Sequence, residues 1–481
     1  MYIGIDLGTS GVKAVLLDEN QTIITTVTRP LTLSRPQPLW SEQNPTDWWN
    51  ATDQAMKSLA EQHDLSEVKA IGLTGQMHGA TLLDKDNNLL SPAILWNDGR
   101  SYAECLELEQ LVTNSRAITG NIMMPGFTAP KLKWFNKHQP QRAAQIAKVL
   151  LPKDYLRLLM TGEYASDMSD ASGTMWLDVG KRAWDKTLLE ACHLELDNMP
   201  QLFEGNQITG YLRKTIAQQW RMKEVPVVAG GGDNAAGAIG VGLCQAGQGM
   251  LSLGTSGVYF VVTDTFTANP QKAVHSFCHA LPNRWHLMSV ILSAASSVDW
   301  IKNITGMPDV QTLFQHIEHN SRSSDAIFLP YLSGERTPHN DPYASGLFWG
   351  LTHNDNQATL AVAVIEGVSF ALADGIDVLH ETGVAAEHIT LIGGGAKSRY
   401  WRQLLADITG KTFEYRTGSE VGPALGAAKL AQMALNPNQS ISQFCQPQPL
   451  EAIYQPNLQR YEQYQMKREK FKALYQRLKG M

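Results

Sequence analysis

One stretch of this chain is written twice. Ile3–Asp18 reads I-G-I-D-L-G-T-S-G-V-K-A-V-L-L-D, and Met250–Asp264 reads M-L-S-L-G-T-S-G-V-Y-F-V-V-T-D. Leu7 aligns with Leu253, and the six residues L-G-T-S-G-V are identical in both copies. Such a duplication favours folds built from two related halves. Each copy reads as strand, tight turn, strand. Ile3, Ile5 and Leu7 alternate with Tyr2, Gly4 and Asp6, the two-residue period of a strand with one buried face. The turns Gly8-Thr9-Ser10-Gly11 and Gly254-Thr255-Ser256-Gly257 combine glycine, which lets successive N–H groups converge on an anion, with hydroxyl donors of little bulk. One such turn is an ordinary β-turn. Two of them, half a chain apart, predict a nucleotide whose phosphates lie between two related domains.

The copies differ at a telling position. Asp6 of the first becomes Ser252 in the second, so only the first turn has a carboxylate beside the expected phosphates. A lone aspartate there repels a nucleotide unless a divalent cation, Mg²⁺ through water, stands between them. The 481 residues have ample length for two large units, and the duplication divides them at about residue 245, into 1–245 and 246–481. A net charge of -6 and a pI near 6.1 exclude the basic footprint of a nucleic-acid binder. Five scattered cysteines without a C-x-x-C fit a reducing compartment. The N-terminus opens a strand rather than a signal sequence, and no apolar run approaches about 18 residues. The expectation is a soluble, cytoplasmic, mixed α/β protein.

Chemistry-bearing residues cluster at predicted strand ends. Thr22–Val27 reads as a third strand, followed by a helix from Asn44-Pro45 with Trp49, Thr52, Met56 and Leu59 at helical spacing. Val68–Thr74 is a buried strand ending in Gly75-Gln76-Met77-His78-Gly79. A hairpin of Ala80–Leu83 with Leu89–Trp96 delivers Trp96-Asn97-Asp98-Gly99-Arg100. Val225–Ala229 leads into Gly230-Gly231-Gly232-Asp233-Asn234 and a helix of small residues. In the second half, Thr359–Glu381 is a long helix, Ile389–Ile392 leads into Gly393-Gly394-Gly395, and a charged helix ends the chain. The two strand-GGG segments read as a fainter echo of the duplication.

Gly230-x-Gly232-x-x-Ala235 imitates a dinucleotide fingerprint, but about 20 residues on, where an acid should hold a ribose, the chain reads Leu251-Ser252-Leu253-Gly254-Thr255. No G-x-x-x-x-G-K-[ST] occurs, which excludes a P-loop. Asp233, at a strand end behind three glycines, suits a general base taking a proton from an attacking hydroxyl. The same local sequence also suits a helix N-cap. Met77 and His78 could line a sugar pocket or simply complete a loop. Trp96, Asn97, Asp98 and Arg100 offer an aromatic face with donors and acceptors, the mixture a polyol site needs, although Trp96 taken alone is as readily core. His275, Cys278 and His279 lack a fourth ligand at zinc spacing.

Taken together these pieces resemble the FGGY family of carbohydrate kinases, within the actin and hexokinase superfamily. Gly126-Phe127-Thr128-Ala129-Pro130-Lys131-Leu132-Lys133-Trp134-Phe135 matches the family's first signature, and Ala363–Val368 resembles the start of the second, whose later part departs. I-D-x-G-T-S at Ile5–Ser10, G-G-G-D-N at Gly230–Asn234, L-G-T-S at Leu253–Ser256 and G-G-G-A at Gly393–Ala396 are further matches. The resemblance implies two ribonuclease-H-like domains flanking a cleft, sugar on the first and ATP on the second. It implies Asp233 as catalytic base, Asp6 as the carboxylate that organises Mg²⁺, with Asp233 beside it at the metal, and Thr9 and Thr255, with Gly8 and Gly254, as phosphate-loop residues. It further implies Gly394 and Gly395 as the glycines against which adenosine lies. Met77, His78, Trp96, Asp98, Asp233 and Asn234 are the expected sugar contacts. The dipeptide Met77-His78 within T-G-Q-M-H-G resembles the branch acting on D-xylulose, where glycerol-phosphorylating members carry Arg-Glu. The expected reaction is transfer of the ATP γ-phosphoryl group to the 5-hydroxyl of D-xylulose. L-ribulose, gluconate and glycerol are competing acceptors, and a non-kinase, ATP-switched protein of the actin-like fold is a second class. The implied partners are small molecules, without nucleic acid or membrane, and a homodimer is common among such relatives.

Overall fold

The computed structural model describes residues 1–320, 324–416 and 422–480. Each copy of the repeat forms its hairpin and founds a sheet. In the first, β1 (Tyr2–Leu7) pairs antiparallel with β2 (Gly11–Leu17), from Tyr2 opposite Leu17 to Leu7 opposite Val12. With β3 (Ile23–Pro30), β4 (Ala70–Gly75), β5 (Ile208–Tyr211) and β6 (Pro226–Gly232) the order is β5-β6-β4-β1-β2-β3, β4 lying parallel to β1. The second sheet holds β7 (Gly249–Leu253), β8 (Gly257–Thr263), β9 (His275–Cys278), β10 (Trp285–Ile291), β11 (His388–Ile392), β12 (Thr412–Arg416) and β13 (Leu450–Tyr454), in the order β9-β10-β8-β7-β11-β12-β13.

The two sheets correspond strand for strand. Three antiparallel strands (β3-β2-β1 and β10-β8-β7) continue into two parallel ones (β4-β6 and β11-β12), and each series closes on an antiparallel edge strand, β5 or β13. This is the ribonuclease-H-like core twice over, and β9 is an additional edge. The correspondence corrects the fainter echo. Gly230–Gly232 ends β6, whereas Gly393–Gly395 follows β11, the counterpart of β4. The two glycine triplets therefore stand at non-equivalent strand ends, and the true counterpart of Gly393–Gly395 is the loop that starts at Gly75.

Helices pack on both sheets. α1 (Pro45–Gln62) is N-capped by Asn44, whose side chain accepts from the Thr46 N–H, and it buries Trp48, Thr52, Ala55, Met56 and Leu59. The inward face is thus set by Trp48 rather than Trp49, one residue from the predicted stripe. α2 (Thr128–His138) carries the glycine-to-tryptophan signature, and α3 (Asp233–Gly240) follows β6. α4 (Ala295–Ile304) follows β10. α5 (Gln357–His380) is long and apolar enough to cross a membrane, contrary to the sequence reading, but Val364, Ile365 and Val368 sit in the core of the second unit. Beyond α6 (Gly422–Ala434), the last helix, α7 (Leu458–Leu478), anchors Phe471 and Tyr475 in that core. Arg468 of α7 bonds both Asp374 and Asp377 of α5.

α6 comes from the second half of the chain yet lies on the first sheet, where Leu425, Ala428 and Ala431 pack with Tyr2, Ala70 and Val228. A Cβ on Gly4 would lie 1.9 Å from the Ala424 carbonyl oxygen, and one on Gly72 would lie 1.9 Å from that of Ala427. Only glycine at both positions lets the helix backbone approach so closely.

The expected hairpin of Ala80–Leu83 with Leu89–Trp96 does not form as a ladder. Thr81–Leu83 pairs with Lys148–Leu150, Ala93–Ile94 pairs with Glu42–Gln43, and single bridges alone join the two segments. The effect is to carry Trp96 to the first glycine-threonine turn.

Candidate active site

A cavity of ≈ 280 Å³ opens between the two sheets. The first half contributes Met77, His78, Trp96, Asp233 and Asn234 to its wall, and the second contributes Ser252, Gly254, Ser256, His275 and Arg336. Asp233 and the second turn therefore face one space.

β6 is shaped to deliver Asp233. Gly230 has φ of 76°, and a Cβ there would lie 1.6 Å from the Leu73 carbonyl oxygen. Behind the strand, Arg157 donates to the carbonyls of Val228 and Ala229 at 2.7 and 2.6 Å, and the Gly232 N–H donates to Ser169 Oγ at 3.0 Å. Lys153, wholly buried, holds Asp154, Asp167 and Asp170 at 2.7, 2.8 and 3.0 Å in the same layer. Asp233 then opens α3. Its Oδ1 accepts from the Asn234 N–H at 2.7 Å and from Asn234 Nδ2 at 3.0 Å, and among the described residues Oδ2 has no protein donor.

Burial raises the Asp233 carboxyl to about 6, against the Asn234 bonds, which lower it. Asp6 is raised to about 7, first by burial and then by the charge of Asp233, with Lys13 opposing. Both are partly exposed, Asp233 on the cavity wall and Asp6 outside the residues that line it, and Asp6 Oδ1 is buried without a hydrogen-bond partner. Two neighbouring carboxylates, the charge of Asp233 raising Asp6 and Asp6 holding an orphaned oxygen, form a donor set that fits a divalent cation.

The two turns are held differently. At the first, the Gly8 N–H donates to the Gly11 carbonyl at 3.0 Å. The Thr9 hydroxyl donates to Gln76 Oε1 at 2.9 Å and accepts from Trp96 Nε1 at 3.0 Å, and Gln43 Nε2 donates to the Thr9 carbonyl at 2.7 Å. At the second, the carbonyls of Gly254 and Thr255 accept from the N–H groups of Ala295 and Ala294 at 2.8 and 2.9 Å, at the start of α4. The Thr255 side chain is exposed. Gly393 packs against Leu253 beside this turn; a Cβ on Gly394 would meet nothing within 4 Å, whereas one on Gly395 would lie 2.6 Å from the Trp401 ring and 2.9 Å from Leu253, so Gly394 presents open backbone and Gly395 a close contact.

On the sugar side His78 takes φ of 71°, and its Nδ1 lies 2.9 Å from the Gly173 carbonyl. A carbonyl only accepts, so Nδ1 carries the proton and Nε2 is an acceptor. Burial, followed by the charge of Lys131, lowers the imidazole to about 3 and keeps it neutral. The signature residues explain the loop: Lys131 Nζ donates to the His78 carbonyl at 3.0 Å and to the Gly126 carbonyl at 2.7 Å, and Thr128 Oγ1 donates to His78 O at 3.2 Å.

Asp98 departs from its expected place. Its side chain is 0% exposed and absent from the cavity wall. It accepts from the Ser41 N–H at 2.6 Å and pairs with Arg100 at 2.7 Å, so burial and these bonds assign it to holding the 96–100 loop rather than to a sugar. Gln43, Gln76, Lys131, His275 and Arg336 were not singled out as site residues by sequence. Gln76 lies within the strand-end loop 75–79, His275 reads only as a candidate zinc ligand, and Lys131 lies in the Lys-x-x-Trp spacing with Trp134, which says nothing of the carbonyls it binds.

A doubled ribonuclease-H-like core, with the second glycine-threonine turn and the Asp233 carboxylate on one cavity wall, is the architecture of a carbohydrate kinase. Residues 1–240 match the N-terminal domain of the FGGY family of carbohydrate kinases, and residues 249–435 match its C-terminal domain. The chain is 61% identical to the Escherichia coli (strain K12) xylulose kinase over 479 residues, covering 99% of each. Among solved structures, a ligand-bound xylulose kinase from Lactobacillus acidophilus superposes with a TM-score of 0.94 at 25% identity, covering 99% of this chain and 98% of that one. A gluconate kinase from the same organism has the same TM-score of 0.94 at 26% identity, covering 99% and 97%. The chain belongs to the FGGY family of carbohydrate kinases.

Proposed function

We propose that this protein phosphorylates D-xylulose at its 5-hydroxyl with ATP. The observation that carries the reading is that Asp233 Oδ2, free of protein donors among the described residues, belongs to a carboxylate on the same cavity wall as the second glycine-threonine turn. The acceptor follows from the E. coli xylulose kinase, 61% identical over nearly the full length. The gluconate kinase shares the fold equally well, so the fold itself does not choose the sugar.

In this mechanism Asn234 pins Asp233 Oδ1 and leaves Oδ2 to take the proton of the attacking hydroxyl. A base raised to about 6 is ionised at neutral pH and still basic enough to share that proton. His78 Nε2 accepts from a sugar hydroxyl, Met77 and Trp96 supply apolar wall, and Asn234 offers an amide. Asp98 acts through the loop it holds. Gly8, Thr9, Gly254 and Thr255 hold the phosphates, with adenosine against Gly394 and Gly395. Asp6, with Asp233 beside it, would hold Mg²⁺. When bound, that ion neutralises phosphate charge and positions the triphosphate. Phosphoryl transfer through a loose transition state needs positioning and charge neutralisation more than covalent help. Closing the second sheet's unit on the first sheet's unit, which carries α6 with it, excludes water, which would otherwise take the phosphoryl group.

The test is a coupled ADP-release screen over D-xylulose, L-ribulose, gluconate and glycerol. D-Xylulose should give the highest kcat/KM, and a higher value for gluconate or glycerol overturns the acceptor assignment.

A further inference from the structure

Arg336 is the one arginine or lysine on the cavity wall among the described residues, and it comes from the second half, opposite Asp233. Its surroundings give it no counter-ion. Nη1 donates to His275 Nε2 at 3.4 Å, and His275 Nδ1 stands 3.3 Å from Asn121 Oδ1, so the histidine is a neutral acceptor that orients the guanidinium. No carboxylate among the described residues forms an ion pair with Arg336. Glu335, the charged neighbour, turns its Oε1 to the N–H groups of Leu292 and Arg336 at 3.0 and 2.7 Å. Burial pushes that carboxyl up to about 8, against its two N–H donors and the Arg336 charge, so at neutral pH it is largely protonated and supplies Arg336 with only a weak counter-charge. The Arg336 charge also depresses the histidines of both walls, His78 and His275, which puts it within electrostatic reach of each half.

A half-buried guanidinium on a cavity wall, hydrogen-bonded only to a neutral histidine and in no ion pair, is a ready site for an anion. A ketose is neutral and cannot supply one. A triphosphate can, and the space between Asp233 and the turn at Gly254 and Ser256 is where its terminal group would pass. Resting on the kinase reading above, we infer that Arg336 binds the phosphoryl group in transit, its N–H groups donating to the phosphoryl oxygens from the side facing Asp233. In that step the bond from the sugar 5-oxygen to the γ-phosphorus forms and the bond from that phosphorus to the β,γ-bridging oxygen breaks. The hydroxyl proton goes to Asp233, and ADP leaves with the electron pair. Planar, permanently charged arginine suits this task because its donors match phosphate oxygens in pairs.

The experiment compares the full-length R336M and R336K variants with wild type. Three quantities are read: kcat and KM for D-xylulose and ATP, D-xylulose affinity by tryptophan fluorescence, and melting temperature. R336M should lose about 10³-fold in kcat, the lower end for an arginine acting on a transferred phosphoryl group. Sugar affinity should stay within about twofold, because the contact arises on the phosphoryl and not on the sugar. R336K should recover part of the rate. The R336M melting temperature should stay close to that of wild type, since the half-buried guanidinium makes no ion pair with the protein. A kcat within about threefold of wild type overturns the inference. So does a loss confined to sugar KM and affinity, which would place the guanidinium on the ketose, and so does a marked fall in melting temperature, which would make Arg336 structural. If wild type prefers gluconate, the acceptor reading alone fails, and the variant-to-wild-type ratio measured with gluconate still decides on Arg336.

Discussion

The two glycine-threonine turns share one sequence and live in different surroundings. Thr9 has its hydroxyl held between Gln76 and Trp96 and its carbonyl held by Gln43, whereas the Thr255 side chain is exposed beside the start of α4. The sheets beneath them differ in the same sense. Gly4 and Gly72 thin the first sheet so that α6 can lie on it, while the positions matching Gly4 and its neighbour Gly72 in the second are Met250 and Thr390. The acids differ too, Asp6 on one side and Ser252 on the other. A duplicated backbone preserves where a strand ends. What that end does is decided by neighbours that were free to diverge.

The comparison can be broken at several points. Removing the proposed base should have the largest effect: Asp233→Ala should lower kcat by about 10²–10⁴, the usual span for a general base, with D-xylulose affinity retained. The wild-type kcat/KM should fall tenfold per pH unit below about 6, because the base must be ionised to act. Steady-state kinetics across pH checks both.

Making the first turn like the second with Asp6→Ser should cost about 10²–10³-fold in kcat, since metal neutralisation of phosphoryl charge is worth several kcal/mol. The same variant should melt higher than wild type at pH 8. The folded-state pKa of Asp6, about 7, lies above its ordinary 3.8, so its favourable contribution is complete below 3.8 and is lost as pH rises through about 7. Differential scanning calorimetry at pH 5 and pH 8 without Mg²⁺ measures this, and added Mg²⁺ should narrow the gap in wild type.

Giving the first sheet the side chain of the second, Gly4→Met, should destabilise by about 3 kcal/mol, the upper end for overpacking, read from the urea midpoint. The smallest effects discriminate most finely. Thr9→Val should cost about 1 kcal/mol of stability through its lost hydrogen bonds. Thr255→Val should leave the urea midpoint unchanged and raise KM for ATP. If the two valine variants behave alike, the turns are equivalent and the contrast drawn between them is wrong.

Much of this was legible in the sequence, for local reasons. The hairpins, the doubled sheet and the position of Asp233 after β6 follow from strand periodicity and from glycines that admit few backbones. A stripe one residue off in α1, Trp48 for Trp49, shows how little two adjacent tryptophans tell apart. The strand-GGG echo misled because glycine triplets recur wherever a strand end must stay bare, and sheet order alone shows that β6 and β11 are not counterparts. Contacts between distant segments left no trace at all. Nothing near Gly4 announces Ala424, and nothing near Asp98 announces the Ser41 N–H that removes its carboxylate from the cleft. Arg336 sits in a loop without period or repeat, and only the fold brings it to the wall facing Asp233.

The central claim is that one cleft, formed by both halves, passes a phosphoryl group to the terminal hydroxyl of a sugar held by the first. Phosphorus NMR of wild-type protein with Mg²⁺, ATP and D-xylulose follows that transfer directly. One ADP should appear for each D-xylulose 5-phosphate, with little inorganic phosphate. Free phosphate released at the same rate with or without the sugar, or phosphate appearing on another hydroxyl, contradicts the account.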